Sequence, residues 1–141
     1  MHMADMVQFE LVSPERLVKS QSVSMVVVPC SEGDIGVLPG HTPLIGTVRP
    51  GVVDIHADGK VSESIFVSGG FVEVTAERCT VLAEEATAVG DLQQEVARSR
   101  LEAAKVALDK ATGDIEKGHA EAEIGTAEAM LAAMGGAPAS H

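Results

Sequence analysis

Aromatic residues are scarce in this chain: three Phe and no Trp or Tyr occur among 141 residues. Any hydrophobic core must therefore be built from Val, Ile, Leu, Met and Ala. Basic residues are scarce as well, with 10 Lys and Arg against 21 Asp and Glu, which gives a formal net charge of −11. This balance argues against binding to a nucleic-acid backbone, and against binding to an anionic membrane through a polybasic patch.

Cysteines and long apolar runs are also few. Cys30 and Cys79 are the only cysteines, and each lies in or beside an apolar stretch. They could in principle pair, but their apolar surroundings favour two reduced, partly buried thiols of a cytoplasmic protein. Metal binding is not expected, because no ligand spacing such as CxxC or HExxH occurs. The sequence contains no recognisable secretory signal or transit peptide, and no apolar run approaches the ~20 residues of a membrane span.

Alternating apolar and polar residues in short stretches fill the first part of the chain. We predict strands at 7–12, 17–29, 52–57, 61–68, 71–75 and 79–83, and turns at 13–16, 57–60 (around Asp58-Gly59) and 69–70. Many short strands with turn signals between them indicate an antiparallel β-sandwich or barrel. We place a β-sandwich domain at residues 5–88.

A segment rich in Gly and Pro, Gly33–Gly51, interrupts these strands. It contains five glycines and three prolines among aliphatic residues that favour burial. Such a segment turns repeatedly and cannot form a helix. We therefore predict an ordered strand–loop–strand passage that displays Asp34 and His41 from short loops.

The character of the chain changes after Gly90, because residues 91–134 contain no proline and are rich in Ala and Glu. We predict two helices, the first capped by Asp91 with Gln94 as its capping-box partner. The turn between them falls at 112–114, and Gly118 is a further weak point. The inward faces are predicted to carry the following residues: Leu92, Val96, Leu101, Ala104, Leu108 and Ala111 in the first helix, and Ala120, Ile124, Ala127, Leu131 and Met134 in the second.

Narrow stripes of this kind are typical of an antiparallel helical hairpin, here at residues 91–134. Because alanine buries little area, we expect the hairpin to be weakly held and able to detach. Residues 135–141 are predicted to be a flexible tail. The predicted fold class is therefore α+β, with an N-terminal antiparallel β-sandwich and a C-terminal α-helical hairpin.

No residue pattern indicates catalysis. His41 and Asp34 lack a Ser or Cys motif that would complete a triad, and the glycines of GDIGVLPG lack the Lys-Ser/Thr ending of a phosphate-binding loop. The pair Glu84-Glu85 is more typical of a solvated strand edge than of an acid–base site. We predict no catalytic residue, no cofactor and no metal ligand, and we interpret the chain as a binding module.

Three segments carry a close family resemblance: SEGDIGVLPGHTPLIGTVRPGVV, FVSGGFVEV and CTVLAEEA, followed by the helical pattern. Together they resemble the epsilon subunits of the F-type ATP synthases, whose mitochondrial counterparts bear the name delta. The resemblance implies a non-catalytic rotor subunit at the foot of the central stalk, which helps to couple c-ring rotation to the gamma subunit. It also implies a peripheral location at the cytoplasmic face of the bacterial inner membrane.

The resemblance implies partner contacts at named positions. Asp34 and His41 correspond to the loop that contacts the c-subunit ring, and Ser13 corresponds to the face that contacts the gamma subunit. The alpha/beta catalytic head is a further candidate partner, reached through the C-terminal helices. Nucleic acid and direct lipid insertion are not expected.

Two departures from the family pattern concern the helices. Some members bind ATP through Asp-x-x-Arg-Ala, but here Asp91 is followed by Gln94 and Glu95 at the Arg and Ala positions. Inhibitory members use basic side chains of the last helix, but residues 118–141 contain no Lys or Arg. We therefore expect little or no ATP binding and at most weak inhibition of ATP hydrolysis.

Two other functions remain open at this point. One is an ATP-sensing regulatory module whose helical hairpin closes on the nucleotide, although the missing Arg counts against it. The other is a small hydrolase that uses Asp34 and His41.

Overall fold

Two compact units make up the chain, in a computed structural model that describes residues 6–135. The division between the units falls between Ala88 and Val89. The first unit contains eight strands and the second contains two α-helices after a short 3-10 turn. The predicted α+β fold, with a sandwich first and a pair of helices second, is confirmed.

The strands of the first unit follow one another with short connections. Their bounds are β1 Val7–Ser13, β2 Arg16–Val23, β3 Met25–Cys30, β4 Gly33–Val37, β5 Leu44–Thr47, β6 Gly51–Ala57, β7 Lys60–Val74 and β8 Arg78–Ala88. Hydrogen bonding gives the order β2-β1-β8-β7-β6-β3-β4, and β5 pairs with β7. Among these strands one pair, β1 with β8, is parallel, with Phe9 opposite Cys79.

The core of the first unit comes from the inward side of the alternating strands. In β1, Val7, Phe9 and Leu11 are completely buried, as their alternation with Gln8 and Glu10 predicts. Aliphatic residues of the other strands surround them. The completely buried members of this cluster include Val23, Val26, Val28, Val37, Val53, Ile55, Val67, Val72 and Val81.

The predicted strand at 17–29 is wrong in one respect, because the chain forms two strands there. It breaks at Ser24, whose backbone N–H and hydroxyl both donate to the carbonyl of His56, at 3.0 Å and 2.7 Å. Both bonds of Ser24 go to the residue of β6 that pairs with Met25, so the chain changes its partner at this position: β2 pairs with β1, and β3 pairs with β6. Residues 17–28 contain no Gly or Pro, so no turn signal in the sequence marks this change of partner.

The predicted turn at Gly69-Gly70 is also wrong. The strand β7 continues through both glycines, and Ser68 lies opposite Glu85 while Gly70 lies opposite Ala83. Both glycines have positive φ, 46° and 131°, so they bend the strand without ending it. As a result β7 pairs with β6 along its first half and with β5 along its second half.

The predicted hairpin turn at Asp58-Gly59 is confirmed. Both residues have positive φ, 55° and 81°, and they connect β6 to β7. Positive φ at two successive positions matches the right-handed twist of the flanking strands, and Asp-Gly tolerates this geometry well.

The second unit is a helical hairpin whose first helix begins later than predicted. Helix α1 spans Gln94–Lys110, and its N-cap is Gln93, with no side-chain cap hydrogen bond. Asp91 ends the preceding 3-10 turn, Val89–Asp91, so the predicted capping box between Asp91 and Gln94 is wrong. The 3-10 turn ends with Asp91, and the backbone N–H of Leu92 donates back to Val89 O at 3.2 Å, so α1 begins only at Gln94.

Helix α2 spans Asp114–Gly135 and runs through Gly118 without a break. Residues Ala111–Gly113 connect the two helices, close to the predicted turn. The predicted tail at 135–141 begins with the last residue of α2, and its residues 136–141 lie outside the described part of the chain.

Small residues line the seam between the helices, as predicted. Ala104, Ala120 and Ala127 are buried. The predicted inward position of Val96 is wrong, because Val96 is 46% exposed and the neighbouring Ala97 is buried instead. This difference is a shift of one position, about 100° around the helix axis.

A bidentate ion pair joins the two helices. Arg100 donates through Nε to Glu123 Oε2 at 2.7 Å and through Nη2 to Glu123 Oε1 at 3.0 Å. Its Nη1 lies 3.6 Å from the sulfur of Met130. Planar pairing of this kind fixes the register of α1 against α2 more specifically than the alanines can.

Candidate functional site

The predicted site residue Asp34 lies on a strand, not on a loop. It is the second residue of β4 and faces Pro29 of β3 across the ladder. Its carboxylate Oδ1 accepts a hydrogen bond from Arg49 Nη2 at 2.6 Å, and Arg49 Nη1 donates to the carbonyl of Cys30 at 2.6 Å. Asp34 is therefore already paired with a cation of its own unit.

His41 lies in the turn that follows β4. Its backbone N–H donates to Leu38 O at 3.1 Å, and its ring Nδ1 donates to Thr42 O at 2.7 Å, so Nδ1 carries a proton. The same turn is also bonded to the connection between β7 and β8, because the backbone N–H of Gly40 donates to Ala76 O at 2.8 Å.

Asp34 and His41 are not brought together as an acid–base pair. Asp34 lies near the first residue of β4, whereas His41 follows the last residue of that strand by four positions. Each side chain bonds to a different group, Arg49 in one case and Thr42 O in the other. Asp34 therefore does not provide the orienting carboxylate that His41 would need as a catalytic base.

The third predicted site residue, Ser13, ends β1. Its hydroxyl donates to Arg16 O at 3.4 Å across the β1–β2 turn. Ser13 lines an open depression together with Val12, Phe71 and Leu82. The surface beside Ser13 is therefore mainly apolar.

This apolar surface is a feature that the sequence interpretation missed. Leu17, Val12, Leu82 and Phe71 face one another across β2, β1, β8 and β7, since each lies directly opposite the next in the ladder. Thr47 of β5 follows opposite Phe71, and Ile45 lies two positions along the same face. We call Leu17, Val12, Leu82, Phe71 and Ile45 the apolar row.

The apolar row is strongly exposed. Ile45 is 76% exposed, Phe71 58%, Leu17 56% and Leu82 50%. Phe71 is one of only three aromatic residues of the chain, and the other two, Phe9 and Phe66, are buried. Strict alternation in FVEV and in TVLAE is a sequence signal that places Phe71 and Leu82 on the outward side of their strands, although it does not show that they lie side by side.

A second surface feature is an open cleft between β4 and β5. It is lined by residues 30–35 on one side and 44–47 on the other. Both are edge strands here: β4 is the last strand in the order, and β5 pairs with β7 alone. The turn at Ser31 is tied across the cleft, because its N–H and its hydroxyl both donate to Thr47 O, at 2.8 Å and 3.3 Å.

Both cysteines are free and buried, as predicted. Burial raises the pKa of the Cys79 thiol to about 12, and burial also raises the pKa of the Cys30 thiol, with Arg49 opposing the change. Near neutral pH both groups therefore stay protonated, and neither is an activated nucleophile.

Within residues 6–135, no group of three or more His, Cys, Asp or Glu side chains is arranged to hold a metal ion. Neither helix in that part of the chain has the length and apolar character required to cross a bilayer.

Comparison with known proteins places the sandwich in a family. Residues 6–89 match the family model described as the beta-sandwich domain of the ATP synthase delta/epsilon chain. The chain is 64% identical over 80 residues to the ATP synthase epsilon chain of Paramagnetospirillum magneticum, covering 57% of this chain and 60% of the relative. It is 62% identical over 82 residues to the epsilon chain of Rhodospirillum centenum, covering 57% and 56%. The matched part is thus less than two thirds of each relative.

Solved structures share the fold over a larger part of the chain. A chain from the mitochondrial ATP synthase of Euglena gracilis matches with a TM-score of 0.78 and 21% identity, covering 95% of this chain and 84% of the other. A chain from the central stalk and c ring of the Tetrahymena thermophila mitochondrial ATP synthase matches with a TM-score of 0.65 and 14% identity, covering 91% and 96%. At these identities the likeness concerns the fold alone. On the match of its sandwich, which spans more than half of its length, the chain belongs to the ATP synthase delta/epsilon family.

Proposed function

We propose that the chain is a non-catalytic central-stalk subunit of an F-type ATP synthase that couples c-ring rotation to the gamma subunit and so to ATP synthesis. The sandwich, residues 5–88, binds gamma and the c ring, and the complex lies at the cytoplasmic face of a bacterial inner membrane. The subunit needs no cofactor for this role, because it acts by transmitting torque between proteins.

The observation that carries this proposal is the apolar row. A monomeric protein rarely exposes a contiguous set of large apolar side chains, and such a set marks a docking surface for another protein. Leu17, Leu82 and Phe71 are each at least half exposed, and Val12 of β1 lies between Leu17 and Leu82 in the ladder. An exposed Phe among aliphatic residues is a suitable anchor for a partner.

The proposed gamma contact of Ser13 fits this surface. Ser13 lines the same depression as Val12, Phe71 and Leu82. The apolar row would supply most of the affinity, while the polar groups at its border would set the register of the contact. Co-purification of the gamma subunit and the c ring with the full chain is the experiment that tests this function.

The proposed c-ring contacts of Asp34 and His41 differ in their local environment. His41 lies in a turn beside Leu38, which is 54% exposed. Asp34 is half exposed but paired with Arg49. A partner that binds near His41 would thus also meet the exposed side chain of Leu38. A partner that binds at Asp34 would meet both the carboxylate of Asp34 and the guanidinium of Arg49.

For the helical hairpin we propose weak or no inhibition of ATP hydrolysis and little or no ATP binding. Residues 118–141 carry no Lys or Arg, and Glu121, Glu123 and Glu128 lie in α2. In the inhibitory members that the chain resembles, the basic side chains of the last helix meet acidic ones of the catalytic head, and an acidic helix in that place would be repelled. Arg100 of α1 already holds Glu123, so it is not free to receive a phosphate.

Ending the chain after Ala88 tests the proposal for the hairpin. The buried core of the sandwich lies within residues 7–83, so this unit keeps its own core without the helices. We expect ATP hydrolysis by the assembled complex to remain nearly unchanged after the truncation. The control is the complex with the full chain at equal occupancy, and strong activation of hydrolysis on truncation would refute weak inhibition.

A further inference from the structure

An ion pair lies within the seam between α1 and α2, with small residues on both sides of it. Its members, Arg100 in α1 and Glu123 in α2, each lie three positions after one buried alanine and four positions before another. These alanines are Ala97 and Ala104 in α1, and Ala120 and Ala127 in α2. Because residues three and four positions apart share one face of a helix, the pair lies among the alanines at which the two helices meet.

The two charged side chains are partly withdrawn from water. The side chain of Arg100 is 26% exposed and that of Glu123 is 40% exposed. Both carboxylate oxygens of Glu123 accept hydrogen bonds from Arg100, at 2.7 Å and 3.0 Å, and Arg100 Nη1 lies against the sulfur of the buried Met130. A bidentate pair in such surroundings is screened less by water and salt than a pair on an open helix surface, so it holds the helices more firmly.

The apolar part of the same seam is weak. An alanine side chain is a single methyl group, so its burial removes little apolar area from water. Two larger side chains of α1, Val96 and Val106, are 46% and 51% exposed, and Leu101 and Leu108 are only partly buried. The balance between a closed and an open hairpin therefore depends strongly on the ion pair.

We propose that the Arg100–Glu123 pair is a latch that keeps α2 closed on α1, and that its release lets α2 separate from α1 as an independent arm. While the latch is closed the two helices move as one body, and once it is open the alanine faces of both helices are accessible to a partner. In the open state both charges are hydrated separately, so removal of one charge destabilises mainly the closed state. The inference goes beyond the proposed function, because it concerns the free chain.

The test measures the distance between the helices in the full chain by pulsed electron paramagnetic resonance. Spin labels are attached through Glu95→Cys in α1 and Glu128→Cys in α2, two exposed positions, whereas Cys30 and Cys79 are buried thiols that react slowly. We expect a single short distance at low salt when residue 123 is the native Glu. Glu123→Gln should add a longer distance and raise the ratio of open to closed hairpins roughly 5- to 10-fold.

The matched control is Glu121→Gln, which removes an exposed carboxylate two positions before Glu123 on the same helix. It should leave the distances unchanged. Added salt should open the native hairpin and the control, but should affect Glu123→Gln much less, because that variant has no ion pair to screen. This salt dependence would not be expected if Glu123 only filled space in the seam.

Three results would overturn the inference. The first is a distance distribution of Glu123→Gln that equals that of the native hairpin. The second is equal opening by Glu121→Gln, which would assign the effect to net charge and not to the latch. The third is a hairpin that is already open at low salt with the native Glu123.

Discussion

Replacement of Gly70 by alanine is expected to destabilise the sandwich by at least ~3 kcal/mol, which would lower the Tm by roughly 15 °C or more. A Cβ at this position would lie 1.8 Å from the backbone carbonyl oxygen of Leu82, and φ at Gly70 is 131°. The obstacle is backbone in the centre of the β7–β8 ladder, so no side-chain rotation can relieve the clash. The conformation is also one that alanine strongly disfavours.

Urea and thermal unfolding of the full chain, followed by far-UV circular dichroism, measure this effect. The matched control is Gly36→Ala on β4, where a Cβ would meet only the sulfur of Met25 at an ordinary 3.7 Å and φ is not positive. We expect the control to change the free energy of unfolding by less than ~1 kcal/mol. Equal stability of the two variants would show that the bend of β7 does not require Gly70.

Replacement of Phe71 by serine is expected to weaken binding to the gamma subunit by about 30-fold, ~2 kcal/mol, with little loss of stability. Phe71 lies in the middle of the apolar row, between Leu82 and Thr47 on the neighbouring strands. Because its side chain is 58% exposed in the free chain, its removal deletes little of the core. In a complex the same side chain would be buried, so the substitution should lower the affinity for gamma more than the stability of the free chain.

The measurement is titration of labelled gamma subunit with the native chain and with each variant. Val61→Ser is the matched control, since Val61 is 48% exposed on the same strand but lies opposite His56, in the half of β7 that pairs with β6. We expect Val61→Ser to bind like the native chain. Equal weakening by both substitutions, or none by Phe71→Ser, would contradict docking through the apolar row.

Much of the sandwich was predictable because its strands follow the two-residue period. Val7, Phe9 and Leu11 alternate with polar residues, and Asp58-Gly59 is a strong signal for a hairpin turn. Gly69-Gly70 was misinterpreted because a glycine pair is equally compatible with a turn and with a bend in a continuous strand. The choice between them depends on the pairing of β7 with β5, β6 and β8, which is a tertiary property.

The helices show the same limit at a smaller scale. The composition and the helical period predict both helices and the turn between them. The predicted capping by Asp91 is wrong, because Asp91 is the last residue of a 3-10 turn. In an alanine-rich helix, adjacent positions differ little in hydrophobicity, so Val96 and Ala97 could not be ranked correctly from the sequence. The ion pair between Arg100 and Glu123 depends on the packing of α1 against α2 and has no sequence signature.

The candidate site was only partly accessible from the sequence. The segment Gly33–Gly51 identified the region, but the pairing of Asp34 with Arg49 joins two residues 15 positions apart and requires the three-dimensional fold. The apolar row joins residues from five strands, so each member looks like an isolated exposed side chain in the sequence. Only the register of β2, β1, β8, β7 and β5 reveals that these residues form one surface.

Hydrogen–deuterium exchange of the full chain, with and without purified gamma subunit, tests the central claim most directly. The account predicts a stable complex in which backbone amides of residues 12–17, 45–47, 71–73 and 80–84 exchange more slowly, while those of the hairpin turn at 58–59 do not change. Absence of a complex, or protection that spares these four segments, would contradict the claim that the exposed sheet face of the sandwich is its docking surface on the central stalk.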